Sequence, residues 1–314
     1  MERSSIGLPT LLSLAGLCGF LEVAQCQTYS IAEIDTFGGV QNIGFALNNA
    51  GQVTGGAAIP DNSTEHAFLY THGAMIDLGT LGGNFSVGSA VNDEGQVAGT
   101  SSDAAGVNHA FLFSKGVMHD LGTLGGSYSA TVVGSIGNEQ INTKGEVIGV
   151  SGTRNGEDDA FVYSHGTMTD LGTLGTGTKV SPNAINNADD IVGVAFTIGT
   201  TAPHAFLYRR GRMLDLNDHV DPDSPLKSDV VLLDAVAISN SGYILVLGDN
   251  RRSGKSLAYL LKECDRHDDD FDHDEGHNNH HSHDGDSADG LTKIRDQNDG
   301  HHRGPKSCQQ ESRE

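Results

Sequence analysis

The chain has 314 residues and a formal net charge of −22, with 42 glycines, no tryptophan and 6% aromatics. So large an acidic excess argues against nucleic acid as a partner, because phosphate contacts need clustered Lys and Arg. Glycine at roughly twice its usual share, with ordinary apolar content, points to many short strands joined by tight turns.

The N-terminus is a different material from the rest. MERSS is followed by the apolar run IGLPTLLSLAGLCGFLEVA, interrupted by Pro9 and Glu22. A membrane span needs about 20 uninterrupted apolar residues. The segment 1–26 therefore reads as a secretory signal peptide, with Ala24 and Cys26 at the small-residue positions of a cleavage site. Lipoprotein anchoring through Cys26 takes second place, since Gln25 departs from that motif. The expected product is a monomer, extracellular or periplasmic, with no transmembrane span. Removal of the leader would leave Cys264 and Cys308, a pair that export allows to form a disulfide or to stay as exposed thiols.

Residues 27–263 repeat. HAFLYTHGAMIDLGTLGG begins at His66, HAFLFSKGVMHDLGTLGG at His109, DAFVYSHGTMTDLGTLGT at Asp159 and HAFLYRRGRMLDLNDHV at His204. A second element recurs between them: LNNAGQV, VNDEGQV, INTKGEV, INNADDI and ISNSGYI. Asn48, Asn92, Asn142 and Asn186, with Ser239 as a substitute, take the first place of a type I turn. Gly51, Gly95, Gly145 and Gly242 take the fourth, with Asp189 the exception. These turns lack the alternating oxygen ligands of a calcium loop. Gly73, Gly116, Gly166 and Gly211 mark a second, two-residue hairpin turn.

Each unit thus holds four short strands, in the second copy A (Ser89–Asn92), B (Gln96–Thr100), C (His109–Phe113) and D (Val117–Leu121). A, B and C occur five times and D follows only four of the C strands. The missing D is expected at the other end, where Thr28–Gly39 matches the D strand and its crossing loop. A linear stack leaves both ends ragged, whereas a ring uses the N-terminal strand to complete the last unit. The expected fold is all-β, a five-bladed β-propeller with four-stranded blades, the N-terminal strand closing the last blade. A β-helix or linear solenoid is the alternative.

The motif HAFLY…G-x-M-x-DLGTLGG…IN-x-x-G-x-V-x-G resembles the repeat of the HAF-repeat family of extracellular proteins, found mostly in bacteria. The resemblance covers about residues 28–263 and implies export and a repeat architecture, not an activity. Asp159 in place of His and Asn217-Asp218 in place of Gly-Thr depart from the pattern.

The four methionines Met75, Met118, Met168 and Met213 hold one hairpin position and read as filler between blades. His66, His109 and His204 each precede an aspartate by eleven residues, Asp77, Asp120 and Asp215, which suits a structural His–Asp bond better than a catalytic dyad. The A–B and C–D turns share one end of the ring and are uniform. The B–C and D–A loops share the other and are irregular, so that face is expected to take an unknown protein or glycan partner. A carbohydrate-active enzyme is the competing class. Three residues before each turn asparagine or serine stand Phe45, Ser89, Glu139, Asn183 and Val236, with Asp234 two residues before the last. Glu139 and Asp234 are therefore the candidate catalytic acids.

The tail 264–314 cannot bury a core and reads as disordered. Between Asp265 and Asp289 lie ten acids and six histidines, including His267, His273, His277, His280, His281, His283, Asp268, Asp270, Asp272 and Asp274. Imidazole with carboxylate oxygen suits Zn, Ni or Cu, and the carboxylates suit Ca weakly. Without fixed ligand spacing, loose sequestration is expected rather than a defined site.

Overall fold

The computed structural model describes residues 30–60, 63–131, 139–175, 177, 179–197 and 202–264. The chain divides into Met1–Glu33 and Ile34–Glu314, and all nineteen described strands belong to the second unit. No helix occurs among the described residues.

Five antiparallel sheets follow one another along the chain. The first contains β1 (Asn42–Leu47), β2 (Val53–Ala58), β3 (Glu65–Thr71) and β4 (Ala74–Asp77). The second contains β5 (Gly82–Val91), β6 (Val97–Asp103), β7 (Asn108–Ser114) and β8 (Val117–Asp120). The third contains β9 (Gly125–Ala130), β10 (Val147–Thr153), β11 (Asp158–Ser164) and β12 (Thr167–Asp170). The fourth contains β13 (Lys179–Ile185), β14 (Ile191–Phe196), β15 (His204–Arg209) and β16 (Arg212–Asp215). The fifth has three strands, β17 (Val230–Ile238), β18 (Ile244–Asn250) and β19 (Lys255–Leu261). Within each sheet, neighbours in sequence are neighbours in space, as the A-to-D order requires.

Turn chemistry sets these registers. The first turn closes by a bond from its fourth residue to the asparagine carbonyl, as from Gly95 N to Asn92 O at 3.0 Å. That fourth residue sits at positive φ, including Asp189 at 66°, the one site without glycine. In the C–D hairpin both loop residues are left-handed: Lys115 at 52° and Gly116 at 80°, the signature of a type I′ turn.

Sheets pack face to face through one aromatic per unit. Phe111, Phe161 and Phe206 are completely buried, and each enters the preceding sheet. Phe111 packs among Ala67, Leu69 and Leu78, Phe161 among Ala90, Ala98 and Ala110, and Phe206 among Ile148, Ala160 and Leu171. Tyr259 holds the same place in the fifth sheet, against Ala184, Val192 and Ala205. Each burial contributes about 1.5–3 kcal/mol. Met118, Met168 and Met213 join these clusters from the same side, as filler. The three phenylalanine rings have room because the facing B-strand residues are Gly99, Gly149 and Gly193, whereas Tyr259 faces Val246. A Cβ on Gly99 would lie 2.4 Å from the Phe111 ring and 2.2 Å from the Val87 carbonyl oxygen.

One expected element is not formed. Residues 30–36 carry no strand, residues 28 and 29 lie outside the described residues, and the fifth sheet is one strand short. The crossing loop that should follow it is present. Thr36 Oγ1 donates to Gly39 O at 2.7 Å, as Thr80 does to Gly83 at 2.8 Å and Thr123 to Gly126 at 3.0 Å. Each D strand from β4 to β16 is tethered to its C strand by a two-residue turn, and Ser30–Glu33 has no such tether.

Gly99→Ala should lower the unfolding free energy by about 1–3 kcal/mol, because neither the carbonyl nor the Phe111 ring can retreat without unpacking the interface. Urea denaturation checks this. A variant as stable as the parent would contradict the packing account.

Candidate functional site

The asparagine that opens each A–B turn does more than shape it. Its Oδ1 accepts backbone N–H groups of its own turn, as from Ala50 and Gln52 to Asn48 at 3.0 and 2.9 Å. Its Nδ2 then reaches the next sheet. Asn48 donates to Asn92 O at 2.8 Å, Asn92 to Asn142 O at 2.9 Å, Asn142 to Asn186 O at 3.2 Å and Asn186 to Ser239 O at 3.1 Å. Ser239 is too short to continue the series, and its Oγ accepts from Tyr243 N within its own turn.

An outer series runs through the following residue. Asn49 N donates to Asp93 Oδ1 at 3.0 Å, Thr143 N to Asn187 Oδ1 at 3.0 Å and Asn187 N to Asn240 Oδ1 at 2.9 Å. Side-chain and backbone bonds from Asn49 hold the Asp93 carboxyl below its usual range.

These turns surround a cavity of about 690 Å³, lined by the equivalent residues of all five sheets and by Phe45 and Glu139. The A strands thus face inward, as expected. This cavity opens at the uniform A–B turn end. Regular turns converge on a common centre, so a concave wall forms where they meet. The loop end holds a smaller hollow of about 340 Å³ between the first two sheets, with Glu65, Asn84 and Phe85 in its wall. Burial raises the Glu65 carboxyl.

Four of the five positions three before a turn asparagine or serine are β-bulges: the A–B register skips Phe45, Ser89, Asn183 and Val236, while Glu139 lies outside the strands. A bulge re-aims its side chain, and two of these side chains tie sheets together. Ser89 Oγ donates to Thr131 Oγ1 at 2.8 Å. Asn183 Nδ2 donates to Asp234 Oδ1 at 2.6 Å and Ala235 O at 3.0 Å. Asp234 is therefore engaged with Asn183 and does not line the cavity. Burial raises its carboxyl and the Asn183 bond opposes the rise. Glu139 does line the cavity, and burial raises its carboxyl too. The two acids do not share one wall.

The His–Asp pairs form across the C–D hairpin: His66 Nδ1 to Asp77 at 3.0 Å, His109 to Asp120 at 2.8 Å and His204 to Asp215 at 2.5 Å. Asp77, Asp120 and Asp215 also accept a backbone N–H two residues on, so the carboxylate caps the loop that leaves the hairpin. In the third sheet Asp159 replaces histidine. Its carboxyl is raised by burial first and by the charge of Asp170 next.

No group of three or more His, Cys, Asp or Glu near enough to share a metal occurs among the described residues. His267, His273, His277, His280, His281, His283, Asp268, Asp270, Asp272 and Asp274 lie outside them. Cys264 is disulfide-bonded, and its partner lies outside the described residues. No described helix is long and apolar enough to cross a membrane.

No family model and no curated protein matches the chain. Among solved structures, it is similar to a TolB of Agrobacterium tumefaciens at 11% identity and TM-score 0.40, covering 68% of this chain and 72% of that one. TolB of Acinetobacter baumannii follows at 14% identity and TM-score 0.41, covering 71% and 55%. Dipeptidyl peptidase 4 of Porphyromonas gingivalis follows at 10% and 0.36, covering 63% and 29%. Likeness this distant carries no argument about activity.

Asp159→His should restore the pair present in three other sheets and stabilise the fold by about 0.2–1 kcal/mol at pH 7. Asp159→Asn isolates the charge. Because the folded carboxyl is raised, its cost appears as pH climbs through the ordinary aspartate range near about 4 and is complete above the raised value. The gap between Asp159→Asn and the parent should therefore close in acid. Thermal melts from pH 3 to pH 7 that show a constant gap would contradict this.

Proposed function

We propose that the chain is an exported binding or scaffold module of the HAF-repeat type, built as a closed five-bladed β-propeller. The observation that carries this is the cavity walled by equivalent turns from all five sheets. Five units around one centre make a rigid ring with a concave end, and such a surface recognises ligands without needing to react with them. The enzyme alternative needs two acids on one wall. Glu139 has that position and Asp234 does not.

Closure by the N-terminal segment is part of this proposal. Its support is the unmatched apolar surface at the junction of the fifth and first sheets. Leu47 is 68% exposed, while its counterparts Val91, Ile141, Ile185 and Ile238 are 9% exposed or less. On the opposing face Leu260 is 68% exposed, while Leu69 and Leu207 at the same register are 6% and 8%. Continuing the register of β3 with β4 pairs Tyr259 with Glu33 and Leu261 with Ile31. The Tyr259 hydroxyl, buried without a hydrogen bond among the described residues, would lie beside that added strand. Ile31 is 98% exposed and available for it.

Deleting Thr28–Gly39 should then cost far more than one hairpin's contacts and broaden the melt. Ser239→Asn should stabilise by about 0.5–1.5 kcal/mol, because the amide would find the Asn48 carbonyl across the closed junction. A deletion with an unchanged cooperative melt, together with a neutral Ser239→Asn, would favour an open stack. For the tail, loose metal sequestration predicts zinc uptake that is strong at pH 7.5 and weak at pH 5.5, as histidine protonates near about 6.5. A chain ending at Glu263 should lose that uptake in calorimetric titration and keep its melting temperature. Equal uptake by the truncated chain would move the sites into the sheets.

A further inference from the structure

We infer that the turn-end cavity binds a neutral, hydroxyl-rich ligand, a pyranose saccharide. The inference rests on the binding-module reading above and adds the ligand class. It starts from the hydrogen-bonding groups that the two asparagine series leave unused. Asn187 and Asn240 spend Oδ1 on neighbouring turns, and among the described residues neither Nδ2 has a partner. Asn49 spends Nδ2 on Asp93 and keeps Oδ1. Glu139 is held by its carbonyl, which accepts from Ile185 N at 2.9 Å, and its carboxyl has no described partner. The residues that carry these two amide donors and two kinds of acceptor all line one hollow of about 690 Å³.

The other ligand classes fit this inventory poorly. Among the described residues no Lys or Arg lines the cavity, so phosphate or carboxylate ligands lack the charged donors they require. Calcium needs six to eight oxygens, yet both Asp93 oxygens are committed to Asn49. Four of the five inner carbonyls, those of Asn92, Asn142, Asn186 and Ser239, already accept asparagine amides. An apolar ligand would strand Glu139 and the free amides without water, each at a desolvation cost. A saccharide hydroxyl both donates and accepts, so one ring can serve Glu139 and the amides together. Among the described residues Phe45, a bulged residue of β1, is the one aromatic in the lining.

The test uses the full chain and its Asn187 and Asn240 side-chain amide resonances in ¹⁵N-labelled protein. Cellobiose, maltose and N,N′-diacetylchitobiose are titrated separately, with inorganic phosphate and calcium chloride as counter-probes. At least one disaccharide should shift both resonances saturably at millimolar concentration. Asn187→Asp and Asn240→Asp keep the inter-turn acceptor and remove the donor, so each should weaken binding about five- to tenfold without moving the melting temperature. Glu139→Gln should weaken it similarly. Failure of all three disaccharides, equal binding by the variants, or shifts produced by phosphate or calcium instead would overturn the inference. If the closure measurements succeed and no disaccharide binds, only the ligand class falls. If both fail, the binding-module reading falls with it.

Discussion

The structure depends on one short polar side chain used twice. The asparagine at the head of each A–B turn accepts from its own backbone and donates to the carbonyl of the next turn. The first action closes the hairpin, and the second fixes the distance and angle between consecutive sheets at their inner edge. These amides are largely buried, so an unmade bond would carry the full desolvation cost of the group. Phe111, Phe161 and Phe206 pack each sheet against the one before it, so polar bonds at the turns and apolar packing between the faces together hold consecutive sheets.

The same logic locates the weak junction. Four asparagines make four links, and the residue that would make the fifth is Ser239, whose hydroxyl stays within its own turn. The two sheets left without this link, the fifth and the first, are also those with Leu260 and Leu47 exposed, and the fifth has three described strands. Sequence, hydrogen bonding and packing thus depart from the repeat at one place. An N-terminal strand would replace the missing polar link with backbone pairing and cover the apolar side chains.

Much of this was legible in the sequence. Repeats of the Asn-x-x-Gly and Gly-Met-Asp patterns fixed the strand order, both turn types and the inward A strand, because local turn preferences and alternation depend only on neighbouring residues. The asparagine links were not legible, since a type I turn already accounts for asparagine there and nothing local shows where Nδ2 points. The bulges at Phe45, Ser89, Asn183 and Val236 were marked only as aligned positions. Whether Asp234 faced the centre or Asn183 depended on a half-turn of side-chain direction that a bulge decides. Recognition was expected at the irregular loop end because such loops usually carry it, whereas the hollow of about 690 Å³ lies where the regular turns meet.

Asn92→Asp tests the central role of the asparagine links most directly. Aspartate keeps the acceptor that caps the turn at Gln96 N and loses the donor to Asn142 O and to Gln96 Oε1. The variant should fold and yet lose about 1–3 kcal/mol in urea denaturation, with amide exchange rising at the facing turns of the second and third sheets. An Asn92→Asp protein as stable as its parent, with exchange unchanged at Asn142, would show that the asparagine only shapes its own turn, and the account would be wrong.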